Sequence, residues 1–132
     1  MPKLEYFLVS ESLSVDQQSN NVSVFSILEE LSGLLPLTIP RLVAISSWNI
    51  EPSERDRDYQ VALRIRLPSG EVMPESKDFK VNFTTTRMRH RIFQHVHGLR
   101  VNEAGELTFE VLLDGEQKAS HTITIHARPE EA

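Results

Sequence analysis

The sequence predicts an all-β chain folded as an antiparallel two-sheet sandwich of seven to eight strands. Three observations carry this expectation. The dominant apolar periodicity is two, most plainly where Tyr59, Val61, Leu63, Ile65 and Leu67 alternate with Gln60, Ala62, Arg64 and Arg66. Short apolar runs are separated by turn residues throughout, and no long amphipathic helical pattern interrupts them.

The strands follow in order. Leu4–Val9, Val22–Leu28 and Leu42–Trp48 are apolar on both faces and read as the first three. In the second, Val22, Val24, Phe25 and Ile27 favour a strand over the helical turn that Glu29-Glu30-Leu31 would allow. Ser32-Gly33 and Pro36 to Pro40 read as a crossing loop, because two prolines so close neither continue a helix nor donate to a central ladder. The alternating run Tyr59–Leu67 comes next, then Pro68-Ser69-Gly70, where proline presets φ and glycine accepts a positive φ, so a hairpin should close onto Phe79, Val81 and Phe83. Thr84-Thr85-Thr86 links to a strand over His90–His97 that Gly98 should end. Leu107, Phe109, Val111 and Leu113 alternate with polar residues, and Asp114-Gly115 joins them to Ala119–Ala127 as a closing hairpin. The tail 128–132 should be frayed.

Length agrees with one domain over 1–132: at 15.1 kDa, a folded chain exposes roughly 7,000 Å² of the roughly 22,000 Å² of its extended form. Trp48, on the third predicted strand, stands where immunoglobulin-like sandwiches often bury a tryptophan, and it should be buried here. Two features depart from that pattern. There are no cysteines, and Leu107 occupies about the place of the tyrosine corner.

A nearer likeness lies in Leu4–Ser12, Val24–Glu30, Pro40–Ala44 and Gly105–Gly115. These stretches, spread over nearly the whole chain, resemble a bacterial family of short single-domain proteins classified only as a domain of unknown function. The resemblance implies a bacterial origin and a sandwich fold. It supplies no catalytic or binding residue.

Composition excludes several chemistries. Without cysteine there are no disulfides, thiolate nucleophiles, Cys-ligated zinc or iron-sulfur clusters. No signal peptide and no apolar run near ~20 residues is found, so the expected location is cytoplasmic, off the membrane. The net charge of -5 hides a basic segment: between Arg55 and Arg100 ten Lys/Arg face five acids, leaving -10 for the remainder. An acidic total argues against a dedicated nucleic-acid binder.

Candidate sites are few. No serine has a nucleophile's Gly-x-Ser-x-Gly context, each glycine stands alone, and Glu29 and Glu30 point to opposite faces of a strand. The expectation is a non-enzyme with no cofactor. His95 and His97 share one strand face and are the one metal-ligand candidate, for a metal-dependent enzyme or sensor. His121 falls in register with Ile123 and Ile125, no third ligand lies at matching spacing, and Arg87, Arg89 and Arg91 make the surroundings cationic, so a metal-free protein is expected. Arg64, Arg66 and Lys80 define a basic face for an anionic ligand. Phe93 shares parity with Arg91, His95 and His97, so either that set or Ile92 and Val96 faces outward; the first would form an interface-like surface. The leading functional expectation is a binding module whose partner is a protein, possibly itself. Leu4–Val9 carries one charge and no interior proline, so as an edge strand it would need covering, and a homodimer with Phe7 at the interface is one solution.

Overall fold

In the computed structural model of the chain the described residues are 1–55, 57–73, 77–83 and 89–128, with backbone alone at 77–79. Among the described residues nine strands run in the order β1 (Lys3–Val15), β2 (Val22–Ile27), β3 (Glu30–Gly33), β4 (Leu37–Asn49), β5 (Asp58–Arg66), β6 (Lys77–Asn82), β7 (Arg89–Val101), β8 (Gly105–Leu113) and β9 (Glu116–Ala127). They form two sheets, β2-β1-β4-β7 and β3-β9-β8-β5-β6. All pairings are antiparallel except β3 with β9. β4 pairs with β7 in one sheet while β5, β8 and β9 build the other, with β6 beside β5. That is the arrangement of an immunoglobulin-like sandwich. Among the described residues no helix is long and apolar enough to cross a membrane.

The strict alternation of β5 is realised residue by residue. Tyr59, Val61, Leu63 and Ile65 are buried between the sheets, while Gln60 is exposed and Ala62, Arg64 and Arg66 are half-buried on the outer face. Gly70 at φ +92 completes the turn after Leu67, its amide donating to the Leu67 carbonyl at 2.8 Å, and β5 pairs with β6. At the closing hairpin, Asp114 (φ +49) and Gly115 (φ +83) supply the two left-handed residues that a two-residue turn needs, with Leu113 opposite Glu116.

Trp48 is fully buried, packed with Ile50, Tyr59, Val61 and Phe83, and its indole Nε1 donates to Ser46 Oγ at 3.0 Å. It sits on β4, which pairs with β7 and corresponds to the second strand of an immunoglobulin domain. The expected third-strand position is therefore corrected, though the burial is not. A second cluster, including Val9, Leu42, Ile65, Phe109 and Ile123, fills the other end. At ~1.5–3 kcal/mol per buried aliphatic or aromatic side chain, these two clusters supply the main driving force.

Several boundaries differ from expectation. β4 starts at Leu37 and so contains Pro40, placed in the expected crossing loop. The β4–β7 ladder skips Pro40 and Gly98, which fall opposite each other, and the β1–β4 ladder ends three residues away at Val43. The missing proline donor thus interrupts no pairing, and Gly98, at φ +67, lets β7 pass through the same point instead of ending there. Ser32 and Gly33, expected in the loop, belong to the short edge strand β3. Its four residues are too few to show a periodicity. β9 begins at Glu116, and β1 runs to Val15. The expected inward Phe79, the Thr84–Thr86 link, Arg87 and the tail beyond Arg128 lie outside what is described.

Leu4–Val9 pairs with β4 along one side, while the ladder to β2 begins only at Ser10, so this half of β1 has the open side expected of it. Its apolar residues are nonetheless not left bare: Phe7 is half-buried against both core clusters and is core, not an interface residue. In strand order the ends are β2 and β7 in one sheet and β3 and β6 in the other.

Candidate functional site

The outer face of the β2-β1-β4-β7 sheet is assembled by register. Three cross-strand rows run from β1 through β4 to β7: Tyr6–Ser47–Arg91, Leu8–Ile45–Phe93 and Ser10–Val43–His95. A bulge between Leu4 and Tyr6 inserts Glu5, whose carboxylate accepts Arg89 Nε at 2.9 and 3.1 Å. Bulges re-aim side chains at strand ends, and here the extra residue delivers a carboxylate to the row above Tyr6.

Val43 and Ile45 are 0% exposed although they belong to neither core cluster. Something covers them from outside. After Ser10, β1 leaves β4 and continues with β2 alone. The departure coincides with Ser26 at φ +57 and with a Ser10 Oγ hydrogen bond to the Ser12 carbonyl at 3.2 Å. A cavity of about 950 Å³ is then lined both by the β1–β2 turn (Ser19, Asn20, Asn21, Val22) and by Tyr6, Ser47 and Arg91. The turn can meet those residues only if the hairpin folds back across the outer face. Distances agree: Ser10 to Val15 and Ser10 to Tyr6 each span about 13–17 Å at the usual strand rise. The hairpin is thus a partial third layer over Leu8, Val43 and Ile45.

The hairpin's tip is fixed by its own hydrogen bonds. Asp16 Oδ1 accepts the backbone amides of Gln18 at 2.8 Å and Ser19 at 2.9 Å, and the Ser19 and Gln18 amides hold its carboxyl below the usual carboxylate range. Arg91 has no ion-pair or hydrogen-bond partner among the described residues. Ser47 Oγ is buried with no hydrogen-bond partner.

The sequence-predicted site residues are dispersed. Arg91, Phe93, His95 and His97 lie on the outer face, while Ile92, Gln94 and Val96 are buried, which resolves the parity question of β7. His95 and His97 are exposed with their rings stacked, centroids 6.5 Å apart. Among the described residues no group of three His, Cys, Asp or Glu is placed to hold a metal ion. His121 is on the other sheet, its Nε2 2.6 Å from the Leu28 carbonyl oxygen. His90 packs edge-on against Phe83, and its partial burial lowers the imidazole pKa. Arg64 and Arg66 both reach Glu110 Oε1, at 3.9 and 3.3 Å, so that face is a mixed-charge ladder. Lys80 stands opposite Gln60, four residues along β5 from Arg64, or about 13 Å. The three cations do not converge. Glu30 pairs with His126 at 3.2 Å, not with Glu29.

Sequence reasoning missed the cavity, since its walls come from four separate segments of the chain. One signal was available: Leu8, Ser10, Ser12 and Ser14 alternate with Val9, Glu11, Leu13 and Val15, extending the first strand into the turn-rich Asp16–Asn21.

Residues 5–126 match the Family of unknown function (DUF6941). The chain belongs to that family. No curated protein sequence matches it. Among solved structures, the Pseudomonas fluorescens alkylpurine DNA glycosylase AlkC bound to DNA containing an abasic site analog superposes at a TM-score of 0.56 with 15% identity, over 96% of this chain and 30% of that one. The chain therefore spans under a third of that protein's length, and the likeness is one of fold. An immunoglobulin-like protein from Pseudomonas aeruginosa superposes at 0.48 with 9% identity, over 96% and 97% of the two chains.

Proposed function

We propose that this chain is a non-enzymatic interaction module that pairs with a second copy of itself, edge to edge, through β2. The observation that carries this reading is the character of that edge. β2, Val-Ser-Val-Phe-Ser-Ile, holds no charge and no proline, and exposes Phe25 at 51% and Ile27 at 48%. Val15, beside it on β1, is also exposed. An unpaired, uncharged apolar strand is a template for another strand. Pairing across a two-fold axis sets Val22–Phe25 against itself with no like charges opposed. The long edge β7 is the reverse case: Arg89, Arg91 and Arg100 with its histidines would repel a second β7. The left-handed Ser26 limits the new ladder to the four residues before it.

The test is sedimentation equilibrium on the native chain and on Phe25→Lys. The native mass should rise from 15.1 kDa toward twice that value at concentrations on the order of micromolar, corresponding to roughly -8 kcal/mol of association. Phe25→Lys, placed on an exposed position, should stay folded and remain monomeric. A native mass fixed near 15.1 kDa at every concentration would reject self-pairing.

A further inference from the structure

The cavity under the hairpin tip has the chemistry of a small-molecule site, and this stands apart from pairing through β2. Its volume of about 950 Å³ falls within the ~300–1,000 Å³ usual for such sites. Among the described residues its charged lining consists of Glu5, Arg89 and Arg91. Glu5 already holds Arg89 through Nε, which leaves Arg91 as the cation without a counter-charge among the described residues. Directly across the ladder from Arg91 is Ser47, 1% exposed, with a hydroxyl that has no partner. A buried polar group in that condition is destabilising, and its position beside a guanidinium with no counter-charge among the described residues puts two donors at one point of the wall. Tyr6 flanks Ser47 on the other side. From above, Asn20 and Asn21 face the same space on a turn pinned by Asp16.

We infer that this cavity binds a small carboxylic acid, its carboxylate forked by the Arg91 guanidinium and bonded by the Ser47 hydroxyl, with Asn20 and Asn21 taking polar groups farther along the molecule. The guanidinium's parallel N–H groups match the two oxygens of a carboxylate. The charges of the described lining suit a monoanion. Among the described residues a phosphate dianion would meet one unmatched cation while facing Glu5 in the same wall, and like charges at short range disfavour the ionised pair. The fixed tip makes the upper wall pre-organised, so little ordering is lost on binding.

The experiment is a titration of the ¹⁵N-labelled full chain, at constant ionic strength, with N-acetylglycine, its neutral amide and inorganic phosphate. N-acetylglycine should give saturable shifts confined to Tyr6, Ser19–Val22, Ser47 and Arg91, including the Arg91 Nε signal. The amide should give none, and phosphate should bind at least about ten-fold more weakly. Arg91→Gln should weaken N-acetylglycine by about ten-fold or more, since a charge-assisted hydrogen bond is lost. Arg91→Lys should recover only part of this, because the charge returns without the fork. Ser47→Ala should weaken binding several-fold with no loss of folded structure. The inference is overturned by an absence of saturable shifts, by phosphate binding as tightly as the acid, by Arg64 and Arg66 signals moving equally with Arg91, or by unchanged affinity in Arg91→Gln. Sedimentation of the same variants reads β2 pairing separately, so one result does not decide the other.

Discussion

Replacing Trp48 by alanine should lower the unfolding free energy by about 3–5 kcal/mol, the range for truncating a fully buried large aromatic. The side chain is surrounded by Ile50, Tyr59, Val61 and Phe83 from both sheets, so no single neighbour can collapse into the space. The indole also satisfies Ser46 Oγ, which is buried, and alanine removes that donor. Trp48→Phe separates the two contributions. It refills most of the volume but supplies no N–H, so it should cost about 1–3 kcal/mol, the penalty for a buried group left without its partner. Denaturant melts of the three proteins, followed by far-ultraviolet dichroism, give the comparison. A loss below 1 kcal/mol for Trp48→Ala would mean that this residue is not enclosed between the sheets.

Ile45→Ala should cost about 2–5 kcal/mol, although Ile45 faces away from the sandwich core. In a plain two-layer sandwich an outward residue is wet, and truncating it changes stability by about 0.5 kcal/mol or less. Here Ile45 is fully buried between Leu8 and Phe93 in its row, beneath the folded-back hairpin. The same melt therefore measures whether the hairpin covers the sheet. Ile45→Ala behaving as a surface substitution would remove the covering layer and, with it, the upper wall of the cavity.

The strands most legible in the sequence were those with one wet and one dry face. β5 could be read position by position because its polar residues alternate without exception, and the closing hairpin could be read because Asp114-Gly115 is a local signal. β1 and β4 were harder. Both are apolar on two faces in sequence, so Leu4–Val9, paired on one side, and Leu42–Trp48, which lies between two strands, read alike, and periodicity cannot separate those cases. Pro40 inside a strand contradicted the local rule, and its tolerance depends on Gly98, 58 residues away in the chain. The candidate site was least legible. Arg91 and Ser47 were visible as residues, but their adjacency follows from a ladder register, and the turn that faces them arrives through a bend at Ser10 and Ser26 that no turn motif marks. His95 and His97 stand out in the sequence instead, because same-face spacing on one strand is readable without knowing the fold. The Arg64, Arg66 and Lys80 face was legible as a cationic pattern, but Glu110 on the neighbouring strand, which holds both arginines, was not.

Backbone hydrogen exchange of β2 at two protein concentrations tests the central claim of self-pairing most directly. Along an edge strand, alternate amides point to the partner strand or away from it. Those of Val22–Phe25 that point away from β1 have no ladder partner in a single copy. Self-pairing predicts that these amides exchange quickly in dilute protein and become protected at concentrations where the pair forms, while amides of the interior strand β4 stay protected in both. Exchange in β2 that is equally fast at both concentrations, in a sample whose β4 amides remain protected, would contradict it.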